Sequence, residues 1–430
     1  MDNSSIMVER SGGLFYGWVI VSACLLIAII TYGVGLSFGV FLTPFREAFS
    51  CTSAAASGAY SAAMFAYTGF GVIAGWGVDK YGPKIITILG GLLLGFGLLL
   101  TSQVNTNHIW QLYMTYGLLG IGMSPAWATL MTTVSKWFVK RRGLALGIIS
   151  TGVGIGPLIM APLASYLVYT SGWRFTFLVL SPTAGLIIAA ATLLKRSPEE
   201  IGRLPNSEID NAVMPQPERR VSKDTSEFNG LSLREAINTK AFWLLSSMNL
   251  MVGIGIVMIM AHIVAYSESQ GIPPISAAIV LSTLTGTSIV GRLIMGMASD
   301  WIGRKRVFVI CVSIEGIILL CMIGASNTWM LFLFAAIFGF CYGGHSPQFP
   351  ALTAEFLGLR YMGTMLGATA FFWGIGGAIG PVLAGHMIDI TGSYAGAFIL
   401  GAATMFLGAI GCLLLKSESR VKPGQRGRLS

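Results

Sequence analysis

Three charged side chains stand within or at the end of long apolar runs of this 430-residue sequence: Arg292, Glu315 and Glu355. Charge inside such a run is costly and is kept for function or for an internal pair. An arginine cannot shed its proton, so Arg292 must face an anion. The positions one helical turn away do not supply one, because they hold Ser288 and Gly296. Two partners remain: a carboxylate arriving from outside, gripped by the parallel N–H donors of the guanidinium, or an ion pair with Glu315 or Glu355. The first is preferred, since Glu355 stands near one end of its run, and both glutamates are expected to be structural. Side chains that can donate or stack without adding charge are Tyr342 and His345 in one run, Phe371 and Phe372 in the next, and Asn249 in an earlier one. These are expected to line a binding site, Tyr342 foremost because its depth matches that of Arg292 and a phenol donates without charge. His262 and His386 have weaker claims. The six cysteines, five of them in apolar runs, show no zinc or disulfide spacing and are expected to be small buried hydrophobes. Neither a metal nor a cofactor is expected.

The elements that carry these residues are set by composition. With 54% hydrophobic and only 10% charged residues, and a mean hydropathy of +0.73, the chain is not a soluble globular protein. Apolar runs long enough to cross about 30 Å of hydrocarbon lie near 16–42, 54–78, 85–102, 109–134, 143–168 and 175–194, and again near 242–266, 275–299, 307–325, 330–354, 363–388 and 395–415. The expected fold is an all-α polytopic membrane protein with twelve transmembrane helices in two six-helix bundles, residues 1–194 and 241–416. A linker at 195–240 joins them and a tail at 417–430 follows. The linker holds Pro198, Pro205, Pro215 and Pro217 among mixed charges, which reads as a solvated connector, with a short amphipathic helix at 231–237 as the alternative. Of the 27 Lys and Arg, all but Arg46, Arg174 and Arg292 fall on one side if both termini are cytoplasmic. The net charge of +9 is therefore a signal of orientation in the cell (inner) membrane and not of nucleic-acid binding. The lipid bilayer is the expected surrounding, with the chain as a monomer.

The two halves echo one another. Gly75, Asp79, Lys80, Gly82 and Lys84 follow the second run, and Gly296, Asp300, Gly303, Arg304 and Arg306 follow the eighth. Gly152, Gly154, Gly156 and Pro157 in the fifth run match Gly374, Gly376, Gly380 and Pro381 in the eleventh. The first echo resembles the loop motif of the major facilitator superfamily, G-x-x-x-D-[RK]-x-G-[RK]-[RK], with Pro83 interrupting one copy and Trp301 replacing a base in the other. The resemblance covers the whole membrane portion. It implies two pseudo-symmetric bundles rocking about a site near the midplane, with Asp79, Lys80, Asp300 and Arg304 in conformational gating. A second resemblance is more specific. Lys136-Trp137-Phe138-Val139-Lys140-Arg141-Arg142-Gly143-Leu144-Ala145-Leu146-Gly147 is similar to the monocarboxylate transporter signature [YW]-F-x-K-R-R-x-L-A-x-G, and Phe15-Tyr16-Gly17-Trp18-Val19 to that family's aromatic-glycine signature. By position, the aromatic pair and the basic collar read as anchors at the headgroups.

That family resemblance implies a substrate arginine at Arg292. It also places an aspartate where this chain has Ser288 and a lysine where it has Leu36, so Leu36 enters the candidate site while both relay groups of the animal members are missing. Oxalate-type exchangers, which this chain also resembles, add a lysine in the eleventh helix. Here the only ionisable side chain that the sequence offers between 363 and 388 is His386. One fixed positive charge suits a monoanion. The reading is a secondary active transporter of small monocarboxylates such as lactate or pyruvate, coupled to a proton by alternating access, and not an enzyme. The alternatives are a carboxylate exchanger of the oxalate/formate type and, from another class, a non-transporting membrane sensor of organic acids.

Overall fold

A computed structural model describes residues 16–138, 142–195, 231–324, 327–358 and 362–415. The first half contains α1 (Tyr16–Leu36), α2 (Leu42–Phe49), α3 (Ser53–Tyr81), α4 (Pro83–Ser102), α5 (Ile109–Met123), α6 (Pro125–Trp137), α7 (Arg142–Leu180) and α8 (Thr183–Thr192). The second contains α9 (Leu233–Ala236), α10 (Lys240–Ser269), α11 (Pro274–Ile302), α12 (Arg304–Met322), α13 (Thr328–His345), α14 (Gln348–Leu357), α15 (Met362–Thr391) and α16 (Ala395–Leu414). By length and composition, 8 helical stretches can cross a membrane. One of them, Ala145–Thr192, runs 48 residues and turns back at Gly172, whose φ is +81°. With α3, α5 plus α6, and α12, the helices are consistent with twelve passes.

The breaks have local causes. Pro125 and Pro347 have no N–H to give to the ladder, so the fourth and tenth expected runs each divide in two near them. The first run does not stop at 42. A 3-10 turn at Phe38–Phe41 carries it into α2, and an aromatic cluster fixes the bend, with Phe38 stacked on Tyr60 at 4.8 Å and Phe41 against Phe177 at 4.5 Å. The repeated loop motif has the expected turn. Gly82 and Gly303 adopt φ of +88° and +97°, and their N–H groups close on Val78 and Ser299, a geometry that a side chain would strain. At 231–237 there is a single helical turn, α9, closed by a Ser232–Glu235 capping box.

Packing repeats in the same order in each half. α1 lies on α7 as α10 lies on α15, α3 on α5 as α11 on α13, and α4 on α8 as α12 on α16. The second glycine echo makes these approaches possible: a Cβ at Gly156 would overlap the backbone of Ile29 and Gly33, and one at Gly380 the backbone of Ile254. Between the halves, α3 packs on α15 and α7 on α11.

Two sequence expectations are corrected. Trp137 and Phe138 are not exposed for anchoring at headgroups. They are fully buried, with Trp137 against Tyr16 at 5.5 Å and Trp18 edge-on to Phe138 at 5.1 Å. The two aromatic signatures therefore form one knot, tied by Trp137 Nε1 donating to the carbonyl of Lys195 and the Tyr16 hydroxyl to that of Leu193. Among the cysteines, Cys321 is exposed and not buried, because its position on the last turn of α12 faces outward.

Candidate substrate site

Arg292 lies on α11, the helix that carries the second half's contact with α7. The backbone there is held hard against α13, since a Cβ at Gly343 would come within 2.9 Å of the Arg292 nitrogen. The guanidinium donates through Nη1 to the Ser288 hydroxyl at 2.8 Å and lies 5.3 Å from the centre of the Tyr342 ring. That face-on placement is a cation–π contact. Among the described residues no carboxylate is within ion-pair distance of Arg292. Glu315, the buried candidate, faces His345 at 3.2 Å instead. Glu355 is exposed at the linker end. Arg292 is half-buried.

The first half contributes groups that the sequence reading did not select. Tyr32 on α1 is near enough to Arg292 and Tyr342 to interact with both electrostatically, and its hydroxyl lies 3.4 Å from that of Tyr67 on α3. Tyr60, one further turn pair along α3, interacts with Tyr342 in the same way, and its buried hydroxyl has no hydrogen-bond partner. The site thus consists of one permanent cation, a serine and four phenols drawn from both halves. Such a set grips one carboxylate and offers hydroxyl donors to whatever the acid carries beside it. A signal for Tyr32 was present, four residues before Leu36 on the same face of α1.

The other expected site residues fall as follows. His345 is one turn beyond Tyr342, with the rings 5.8 Å apart. Asn249 is buried and donates to the carbonyl of Leu245 in its own helix. Phe372 stacks edge-on against Trp243 at 6.0 Å, and Phe371 lies against Phe372. Leu36 is buried at the end of α1. His262, which had the weaker claim, joins the halves, as described below. Of the gating residues, Lys80 covers the rings of Trp76 and Tyr81 at 4.9 and 5.3 Å. Arg304 lines a cleft of about 520 Å³ with Arg306, Lys305 and Glu355. The side chains of Asp79 and Asp300 lie outside the described residues, as does the collar at 139–141.

The two halves are fastened on the side of the site away from the linker. The Asp389 carboxylate on α15 accepts the backbone N–H groups of Ser53 and Ala54, both at 2.8 Å, and so caps α3 across the interface. Thr43 donates to Glu268 at 2.7 Å, and the His262 Nε2 lies 3.1 Å from the Ser57 hydroxyl and 2.9 Å from the Pro381 carbonyl. Ser282 donates to the Leu158 carbonyl at 3.1 Å. These bonds hold the halves closed on each other at that end.

Two bundles with repeated packing, meeting at a central cation and sealed at one end, have known counterparts. A model of the Major Facilitator Superfamily matches residues 23–302 and 243–430. The chain belongs to the Major Facilitator Superfamily. It is 28% identical over 415 residues to monocarboxylate transporter 13 of Rattus norvegicus, covering 94% of this chain and 90% of that one. It is 26% identical over 411 residues to monocarboxylate transporter 12 of Homo sapiens, covering 92% and 79%. It is also 26% identical over 414 residues to the oxalate:formate antiporter of Oxalobacter formigenes, covering 93% and 91%. In structure it is similar to a D-xylose-proton symporter, with a TM-score of 0.74 at 12% identity over 94% of this chain and 99% of that one. A bacterial homologue of the lysosomal transporter Spinster in an inward-facing conformation gives 0.67 at 14% identity, covering 94% and 96%. At these identities the likeness of structure shows the fold alone. The chain is a membrane transporter of the major facilitator type, related to monocarboxylate transporters and to an oxalate:formate antiporter.

Proposed function

We propose that this protein is a secondary active transporter of small monocarboxylates, of the lactate and pyruvate class, coupled to a proton and working by alternating access as a monomer. The observation that carries the reading is Arg292: a cation that cannot be neutralised, held by Ser288 and Tyr342, with no carboxylate among the described residues within ion-pair distance. One fixed charge matches one carboxylate, and the phenols of Tyr32, Tyr67 and Tyr342 match a hydroxyl or keto oxygen beside it. Both termini and the linker are cytoplasmic in this reading, because the basic residues crowd that side. The closed end, with Asp389, Glu268 and His262, is then the outer gate. Substrate entering from outside meets Arg292 once the outer contacts part, and the Asp79 and Asp300 loops close the inner side in turn.

An exchanger of carboxylates is the second reading, favoured by the oxalate:formate antiporter among the relatives and by Ser288 standing where the animal members carry an aspartate. Uptake of labelled lactate, pyruvate, acetate and formate into vesicles of purified protein separates the two. Acceleration by an inward proton gradient at zero membrane potential supports symport. Acceleration only by an internal acid, with no response to the proton gradient, replaces symport by exchange.

A further inference from the structure

Behind the Tyr342 ring, Glu315 on α12 and His345 on α13 face one another at 3.2 Å, with 0% and 2% of their side chains exposed. The rings of Phe308 and Phe349 close over the imidazole at 5.8 and 6.0 Å. None of the four polar atoms of the pair, Glu315 Oε1 and Oε2 and His345 Nδ1 and Nε2, makes a hydrogen bond, although Oε1 and Nε2 are 3.2 Å apart. A carboxyl and an imidazole this close have no net charge when they carry one ionisable proton between the two groups, as carboxylate with imidazolium or as carboxylic acid with imidazole. The deprotonated pair carries one negative charge into dry surroundings, which is costly unless a fixed positive charge is near. Arg292 stands across the Tyr342 ring from the pair. Its guanidinium is 5.3 Å from the Tyr342 ring centre, and that ring is 5.8 Å from the imidazole of His345.

We propose that the Glu315–His345 pair is the proton site of this transporter, vacant while Arg292 faces no anion and filled when a substrate carboxylate occupies Arg292. The inference rests on the proton-coupled reading given above. With Arg292 unoccupied, its positive charge supports the negative pair. A bound carboxylate cancels that charge, the negative pair loses its support, and a proton is taken up. The empty centre, cation plus negative pair, and the loaded centre, cation plus carboxylate plus protonated pair, both have zero net charge. Either half-loaded form carries one uncompensated charge through a low-dielectric core and is penalised. Proton and acid therefore cross together. The other ionisable groups around the pair are Cys311 on α12, Cys341 and Tyr342 on α13, and Arg292 on α11. Lys305, Glu355 and Cys412 form a separate group nearer the linker. Of these, Arg292 is the one whose charge a bound carboxylate offsets directly.

The test uses purified protein in vesicles and whichever of lactate, pyruvate, acetate or formate the wild type takes up fastest. Three quantities are read: accumulation driven by an inward proton gradient, counterflow at equal pH on both sides, and affinity across pH by ligand-dependent thermal stabilisation. Since binding takes up a proton, wild-type affinity falls about tenfold per pH unit once the vacant pair is deprotonated. Glu315→Gln fixes the pair in a neutral form, so it should keep counterflow, lose gradient-driven accumulation and bind with an affinity independent of pH. His345→Gln should move the pH at which affinity falls. Gradient-driven accumulation and an unchanged pH profile in Glu315→Gln overturn the proposal, as does loss of counterflow together with accumulation in correctly inserted protein. If Glu315→Gln does not insert, His345→Gln decides, and a pH profile that does not move overturns the proposal. A wild type that ignores the proton gradient sinks the symport reading itself, an outcome read without any variant.

Discussion

Replacing Arg292 with alanine removes the positive charge from the site and leaves the Ser288 hydroxyl and the Tyr342 ring without the group they hold. A small acid binding with micromolar to millimolar affinity has about −4 to −8 kcal/mol to its name. A charge-assisted hydrogen bond contributes about 1.5 to 3 kcal/mol, so losing the guanidinium should weaken binding by roughly 10- to 150-fold and bring most acids below detection. Lysine should restore little, because a point charge on a flexible stem can neither reproduce the planar fork nor keep its place between Ser288 and Tyr342. The assay is ligand-dependent thermal stabilisation of purified variant and wild type, which reads binding without requiring turnover. Stabilisation of Arg292→Ala equal to that of wild type by the preferred acid would remove Arg292 from the site. The one-charge, one-carboxylate argument would fall with it.

Tyr342→Phe keeps the ring beneath Arg292 and loses only the hydroxyl, so affinity should fall by about 0.5 to 1.5 kcal/mol, or roughly 2- to 12-fold; Tyr342→Ala also gives up the cation–π contact and should fall further in the same binding assay. Asp389→Asn keeps one acceptor for the α3 N-terminus and turns the other toward it as a donor, which should loosen the closed end by about 1 to 2 kcal/mol and shift the populations roughly 5- to 30-fold. In a background without the native cysteines, a cysteine introduced by Ser57→Cys should then be labelled faster from outside by an impermeant thiol reagent, and an unchanged rate would deny Asp389 its role as a latch. Asp79→Asn should impair transport more than binding, since a bias of about 1 to 3 kcal/mol between states is a 5- to 150-fold change in their ratio. Equal loss of both in correctly inserted protein would place Asp79 elsewhere in the cycle.

Much of this molecule follows from local chemistry and was legible in the order of residues. Apolar runs must satisfy their own backbone groups in a bilayer, so they are helices. A turn that needs a positive φ takes glycine, so Gly82 and Gly303 marked the same corner in each half. Arg292 was legible because a guanidinium in the middle of an apolar run has no local answer at Ser288 or Gly296. What depends on distant segments was not legible. The partner of Glu315 is His345, thirty positions away on another helix, and only the packing of α12 on α13 brings them together. Tyr32 and Tyr67 reach the site because α1 and α3 bring them together and α3 packs on the second half, which hydropathy does not encode. The aromatic pair Trp137–Phe138 looked like a surface anchor because an aromatic at a run's end suits a headgroup and a helix neighbour equally well. The neighbour wins here, since α1, α6 and α8 end at one level and their rings can bury one another. The closed end was decided the same way: Asp389 is one more polar residue near a helix terminus until the fold places the bare N–H groups of Ser53 and Ala54 within 2.8 Å of its oxygens.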